Sequence, residues 1–356
     1  MKRTVGIVFT VALLLVALLS AGCTGDDGGA VKLGLGTVTS IDKSRDQSVD
    51  EEENVTTAQG QVDTVIAAAT FDAKGRVVDV IIDTAQTRVA FDEELQLASD
   101  PAAENKTKKE LGDDYNMRGA SSIGKEWYEQ IAALEDWMKG KTVAEIKALK
   151  VKQRDEAHPA VPDDPELSSL VTITVQDYIA AVEKAYQNAV DVKDAVKLGL
   201  GQNISIAKSR GYSVDEETNT ETLPMAQVDT VIAATAFDAK GKVAGVIIDT
   251  AQTRVNFDAE GKVTSDKSAA IRSKKELGDD YNMRGASSID KEWYEQIAAL
   301  ENWMKGKTVA EIKALKVKQR DEAHPAVPDD PELTSLVTIT VQDYIAAVAE
   351  SFEKSR

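Results

Sequence analysis

The stretch from Trp137 to Leu167 reappears letter for letter from Trp303 to Leu333, 166 positions further on. The same ending follows in each copy: Ser169-Leu170-Val171-Thr172-Ile173-Thr174-Val175-Gln176-Asp177-Tyr178, then Ser335 through Tyr344. A chain duplicated in this way has to fold one pattern twice, so its 356 residues divide into two units of roughly 160 residues, each long enough to bury a core of its own. The opening Val31-Lys32-Leu33-Gly34-Leu35-Gly36 recurs at Val196 to Gly201, an offset of 165, so one residue is inserted between the two anchors. The acidic, polar segment 42–61 is where an exposed loop would absorb it. Whatever site one unit carries, the other should carry too, which suggests a carrier or binder rather than a single composite active site.

The first residues read as a lipoprotein leader, 1–22: Lys2 and Arg3 form the charged start, residues 7–19 the apolar run, and Ser20-Ala21-Gly22 the small residues before Cys23. Cleavage would leave Cys23 as a lipidated N-terminus on a short tether, 23–30, holding the protein at the extracellular face of the cell membrane by its lipid anchor only. Cys23 is the one cysteine of the chain, so no thiol remains for a disulfide, a thiolate metal site or a nucleophile. His158 and His324 are the two histidines; neither has a partner at metal-binding spacing, and no metal site is expected. Removing Lys2 and Arg3 from the formal charge of −18 leaves −20, a surface that repels nucleic acid.

Each copy then alternates recognisable elements. Residues 62–71 and 77–83, rich in Val and Ile, flank an Asp72-Ala73-Lys74-Gly75 turn and read as a hairpin. Residues 91–106 differ most between copies, as expected of a surface loop. Trp127, Ile131, Leu134 and Met138 share one face of a helix over 125–139 that Gly140 stops, and Thr142-x-x-Glu145 is a capping box for a shorter one. Three prolines make 158–165 a loop. Residues 170–173 read as a short strand, and Thr174 with Asp177 would cap a helix running to residue 188. The fold class is therefore α+β, with two tandem homologous domains, 31–188 and 196–356, joined by a linker at 189–195; each is a small antiparallel sheet with packed helices.

Chemistry is physically plausible at that last turn, because a helix N-terminus offers unpaired N–H groups and a positive dipole end to an anion. Thr172 and Thr338 would hold their hydroxyls at its mouth, beside Ser169 and Ser335; the alternative is a plain strand running into a capped helix. His158 and His324 could act as bases for those serines or simply belong to the loop. Lys106, Lys108 and Lys109 could meet a phosphate or form an exposed helix start.

The segments Glu166-Leu167-Ser168-Ser169-Leu170-Val171-Thr172 and Glu332-Leu333-Thr334-Ser335-Leu336-Val337-Thr338 resemble the signature of the FMN-binding domain family: an acidic residue, two residues, then Ser-Gly-Ala-Thr. Leu170 and Val171 stand where that motif has Gly and Ala. The runs Val62-Asp63-Thr64-Val65, Lys109-Glu110-Leu111-Gly112-Asp113-Asp114-Tyr115-Asn116-Met117 and Glu126-Trp127-Tyr128-Glu129-Gln130 extend a resemblance to tandem flavin lipoproteins of Gram-positive extracellular electron transfer over nearly all of the mature chain. The resemblance implies two FMN groups, covalent through Thr172 and Thr338 by way of a flavin transferase. It further implies an electron carrier, rather than a turnover enzyme, between a membrane redox donor and an extracellular electron acceptor. Tyr115 and Met117, with Tyr281 and Met283 in the second copy, would neighbour the ring; Glu110 and Glu276, or Asn116, would supply its polar handle. Trp127 is either core or ring contact. The competing expectations are a cofactor-free lipoprotein that binds a small molecule or an envelope component, and a surface interaction module with no pocket.

Overall fold

A computed structural model of the chain describes residues 29–356; the expected leader 1–22, Cys23 and the tether as far as residue 28 lie outside the described residues. Strands β1 (Ala30–Ser40), β2 (Gln59–Phe71), β3 (Val77–Ala90) and β4 (Val190–Ala195) form one antiparallel sheet in the order β3-β2-β1-β4. Strands β5 (Lys197–Ser205), β6 (Met225–Phe237) and β7 (Val243–Asn256) form a second, in the order β7-β6-β5. The β2–β3 hairpin turns on Asp72, whose Oδ1 accepts from the N–H groups of Lys74 and Arg76, both at 2.8 Å, while Gly75 takes a φ of 75° that a side chain would strain.

Helices α1 (Lys108–Leu111), α2 (Trp127–Met138), α3 (Val143–Lys147) and α4 (Gln176–Gln187) belong to the first half, and α5 (Lys274–Leu277), α6 (Trp293–Met304), α7 (Val309–Lys313) and α8 (Gln342–Glu353) repeat them. The α2 helix buries Trp127, Ile131, Leu134 and Met138 as its spacing predicts, and Thr142 caps α3 with the reciprocal Glu145 contact. Mixed α+β architecture with antiparallel sheets is therefore observed. Among the described residues no helix is long and apolar enough to cross a membrane, and no group of three His, Cys, Asp or Glu side chains is placed to hold a metal ion.

Both faces of each sheet are covered, so apolar side chains stand on both. On β2, Val65, Ala67, Ala69 and Phe71 point to the helices, while Val62, Ile66 and Ala68 point to the opposite sheet. The same split occurs on β6, giving four layers: helices, sheet, sheet, helices. Each half has its helix-side core, and between the sheets the halves share two further clusters. The sheets approach so closely that a Cβ on Gly60 would fall 2.4 Å from Ala226 Cβ.

Four expectations change here. The linker expected at 189–195 is strand β4, which pairs with β1 of the first half through Lys32↔Asp191 and Leu33↔Val190. The surface loop at 91–106 has no regular structure, but Phe91 and Leu95 are buried between the halves. The proline-rich loop contains a two-residue ribbon, Val161–Pro162 against Val151–Lys152, permitted because Pro162 lies on a short edge that asks little of its missing N–H. Residues 170–173 form no strand, as described below. The inserted residue is absorbed at the tip of an exposed ribbon, Ser48–Val49 with Val55–Thr56 in one half and Ser213–Asp215 with Thr220–Thr222 in the other.

Phe91 and Phe257, equivalent positions of the repeat, meet edge to face with ring centroids 5.2 Å apart. The contacts around them are reciprocal: Gln47 N–H donates to Gly261 O and Tyr212 N–H to Leu95 O, each at 2.9 Å. Phe91→Leu removes the ring pair and leaves a partly filled void, so it is expected to cost about 1–2 kcal/mol. Thermal unfolding of the two proteins side by side measures it; an unchanged midpoint would mean the halves do not depend on this junction.

Candidate functional site

Residues 164–171 coil into successive turns rather than extending, because Leu167 O accepts from the N–H groups of both Leu170 and Val171 at 2.8 Å while the Leu167 and Val171 side chains enter the core. No ladder can form there, so the strand expected at 170–173 is absent. Val175 is the N-cap of α4, and no side chain caps it. Thr174 does not take that role; its hydroxyl is buried without a partner, as is that of Thr340.

The turn is pinned on two sides. Gln130, fully buried on α2, accepts from Thr172 N–H at 2.8 Å and Thr172 Oγ1 at 3.3 Å, and donates from Nε2 to Ser121 Oγ at 3.2 Å. Arg154 donates from Nη1 to Thr172 O at 2.9 Å. Asp155 holds that guanidinium at 3.0 Å and meets His158 Nδ1 at 2.6 Å. The second half repeats the arrangement through Gln296, Arg320, Asp321 and His324 around Thr338. The histidines therefore serve an arginine that orients the threonine loop, and Ser169 and Ser335 lie exposed beside it.

Next to this loop, the N-terminus of α4 opens on a cavity of about 360 Å³ bounded by Thr84, Lys108, Thr174, Asp177 and Tyr178. Lys108 Nζ lies 4.8 Å from the Tyr115 ring centroid and 5.4 Å from that of Trp127. Burial pushes the Lys108 ammonium down to about 8. The Tyr178 hydroxyl accepts from Trp127 Nε1 at 2.9 Å and its pKa is raised by burial; the buried Thr84 hydroxyl faces that phenol without completing a hydrogen bond. Lys274 stands over Tyr281 and Trp293 in the same way. A partly desolvated cation, unpaired hydroxyls and uncapped helix N–H groups suit an anionic or phosphorylated ligand.

The other expected site residues divide. Tyr115 does not line this cavity but lies under Lys108, its hydroxyl 3.4 Å from Gln86 Oε1, and Tyr281 does the same with Lys274 and Gln252. Met117 and Met283 pack against the helix-side cores, with their N–H groups held by Glu126 and Glu292. Glu110 and Glu276 are engaged elsewhere: each closes a capping box, on Thr107 and Ser273, and pairs across the halves, Glu110 with Lys354 at 2.8 Å and Glu276 with Lys184 at 2.6 Å. Both carboxylates are thus held in caps and ion pairs. Trp127 is core, 2% exposed. The helix start at Lys108 and Lys109 is half-buried rather than exposed, since Lys109 Nζ reaches Glu135 at 2.5 Å.

Behind α1 and α5 lie two buried aspartates. Asp249 accepts from Ser273 Oγ at 2.6 Å and Lys275 N–H at 3.0 Å, and Asp83 matches it with Thr107 and Lys109. Burial pushes the Asp249 carboxyl up to about 6, against hydrogen bonds that pull it down. An unfolded aspartate titrates near about 4. The folded state thus holds this proton more tightly, and the resulting stability is full below about pH 4 and lost as pH rises through about 6. Between those limits the wild type is expected to lose about 2–3 kcal/mol relative to Asp249→Asn. Urea unfolding of both proteins at the two pH values checks this, and a constant difference would refute it.

Gln130, Arg154 and Thr84 are functional candidates that pattern reading did not select, whereas Lys108, expected either to meet a phosphate or to form an exposed helix start, lines the cavity. Gln130 left a signal: it interrupts the apolar stripe of α2 at a position that must be buried, and a buried amide needs partners. Thr84 left none, because it reaches the cavity only through the tertiary fold.

No protein-family profile and no solved structure matches the chain. Among curated proteins, a chlorophenol reductase of Desulfitobacterium hafniense is 30% identical over 168 residues, which cover 35% of this chain and 50% of that protein. The match therefore extends over half the length of the relative, whose name is that of a redox enzyme.

Proposed function

We propose that the protein is an electron carrier tethered to the outer face of the cell membrane, with one FMN held in each half beside Thr172 and Thr338. The observation that carries this reading is the duplicated setting of those threonines: each is fixed by a buried glutamine and an arginine at the start of a twelve-residue helix, next to a lysine raised over two aromatic rings. Lys108, Thr84 and Thr174 fit a phosphate-bearing group, since they offer a cation and two buried hydroxyls without partners. When bound, the flavin would supply reversible electron transfer. This chain's residues would position it: Gln130 and Arg154 fix the loop, Lys108 would balance phosphate charge, and Tyr115, beside Lys108, would neighbour the ring. A membrane redox partner would be the donor and an extracellular acceptor the recipient. The redox name of the relative supports the same direction.

The engagement of Glu110 and Glu276 in caps and ion pairs favours the second reading, a cofactor-free binding lipoprotein. Intact mass and visible absorption of the exported chain, made together with its flavin transferase, separate the two. FMN adducts support the carrier; colourless protein of unmodified mass rejects it.

A further inference from the structure

We propose that a second kind of site lies between the halves, binding one compact neutral ring that carries a hydrogen-bond-donating hydroxyl, of the phenol class. A cavity of about 490 Å³ opens there, walled by Ile81 and Asp83 of β3, Ala132 and Glu135 of α2, and Leu200 and Gln202 of β5. It is distinct from the cavity at the start of α4 and shares no lining residue with it.

The polar anchor is Gln202, 8% exposed. Its Nε2 donates to Asp83 Oδ2 at 3.4 Å, while its Oε1 has no partner. A buried acceptor in that state carries a desolvation penalty that a donated hydroxyl relieves. Charge then narrows the class. The cations on the wall are already matched: Lys109 with Glu135 at 2.5 Å, Lys354 with Glu110 at 2.8 Å, and Arg356 with Glu135 at 2.8 Å. Asp83 and Asp113 add further carboxylates to the wall. An anion would have to break ion pairs to enter; a neutral donor would not. Ile81, Leu200, Ala132 and the Tyr128 ring supply the apolar surface for a flat molecule.

The duplication does not repeat this site. The equivalent cavity beside Asp249 holds about 220 Å³. Where the first cavity has Gln202, Lys354 and Arg356, the matching positions of the other half are Thr37, Asn188 and Val190. The stoichiometry is therefore one ring per chain, in contrast to the paired sites at Thr172 and Thr338, and the inference holds whether or not a flavin is present.

Titration of the full exported chain by fluorine NMR with para-fluorophenol tests it. One saturable equivalent is expected, with para-fluoroanisole, which lacks the donor, about 5–10-fold weaker and para-fluorobenzoate not binding. Gln202→Leu should weaken the phenol by a similar factor and leave the anisole unchanged. Ala132→Trp, a change on the exposed side of α2, should abolish both without altering thermal unfolding, and it keeps the test sound should Gln202→Leu fail to fold. Two equivalents, equal binding of phenol and anisole, binding of the benzoate, or indifference to both substitutions would each overturn the assignment.

Discussion

Made together with its flavin transferase and exported, the chain is expected to carry two FMN phosphodiester adducts, Thr172→Ala or Thr338→Ala alone to carry one, and the double variant none. The loss is all or none at each position because only the threonine Oγ1 can form the bond to phosphorus. Alanine is a clean probe here. Thr172 N–H still donates to Gln130, and Arg154 still donates to Thr172 O, so the loop keeps its two main restraints. The single bond sacrificed, Oγ1 to Gln130 Oε1 at 3.3 Å, is long, and its removal should cost no more than about 1 kcal/mol. Modification would not leave Gln130 without a donor. A phosphodiester at Oγ1 would remove that hydroxyl's proton, yet the Gln130 carbonyl remains satisfied by the backbone donor. Intact mass under denaturing conditions gives the count. Unmodified mass with retained yellow colour before denaturation would indicate non-covalent FMN, and adducts surviving in the double variant would place the attachment elsewhere.

How far the sequence disclosed this arrangement depends on the range over which each residue acts. The hairpins, the α2 stripe and the Thr142 cap follow from local spacing and turn chemistry, and they are observed as expected. The turn at 164–171 was misread because Leu170 to Ile173 are β-branched or aliphatic, and burial of Leu167 and Val171 against the helices overrides strand preference. Glu110 is expected as a polar handle for a ring, and its partners in the fold are Thr107, three residues away, and Lys354 in the other half. The linker became a strand for a similar reason. Residues 190–195 are few and half of them charged, and the open edge of β1 gives them a ladder. Duplication disclosed that the helices and the threonine loop occur twice. It could not disclose that the two copies lie sheet against sheet, because that contact uses alternate residues of strands whose other face already satisfied the pattern.

Gly36→Val is expected to destabilise the protein by more than about 3 kcal/mol and to abolish modification of Thr172, although Gly36 does not line the cavity at the start of α4. A Cβ built on Gly36 would lie 2.1 Å from Ala181 O and 2.5 Å from Ala185 N of α4; on Gly34 it would lie 1.9 Å from Ala185 O. These are backbone atoms, so no rotamer change relieves the overlap and the helix must move as a body. The second half reproduces the contact, with Gly199 and Gly201 against Ser351 O and Ala347 O of α8 at 1.8 and 2.0 Å. The repeated Leu-Gly-Leu-Gly thus has a physical meaning: leucines fill the space between sheets while glycines let α4 lie directly on β1. The start of α4 carries the Thr174 to Tyr178 wall of the candidate site, so lifting the helix opens that wall. Gly119→Ala is the matched control, exposed and with no atom within 4 Å of its added Cβ, and should stay within about 0.5 kcal/mol of wild type. Thermal unfolding and intact mass of the three proteins decide the matter. Normal stability in Gly36→Val would show that α4 does not rest on β1. Lost stability with full modification would show that attachment at Thr172 does not need the seated helix, and would move the determinant of the site to the Gln130 and Arg154 contacts alone.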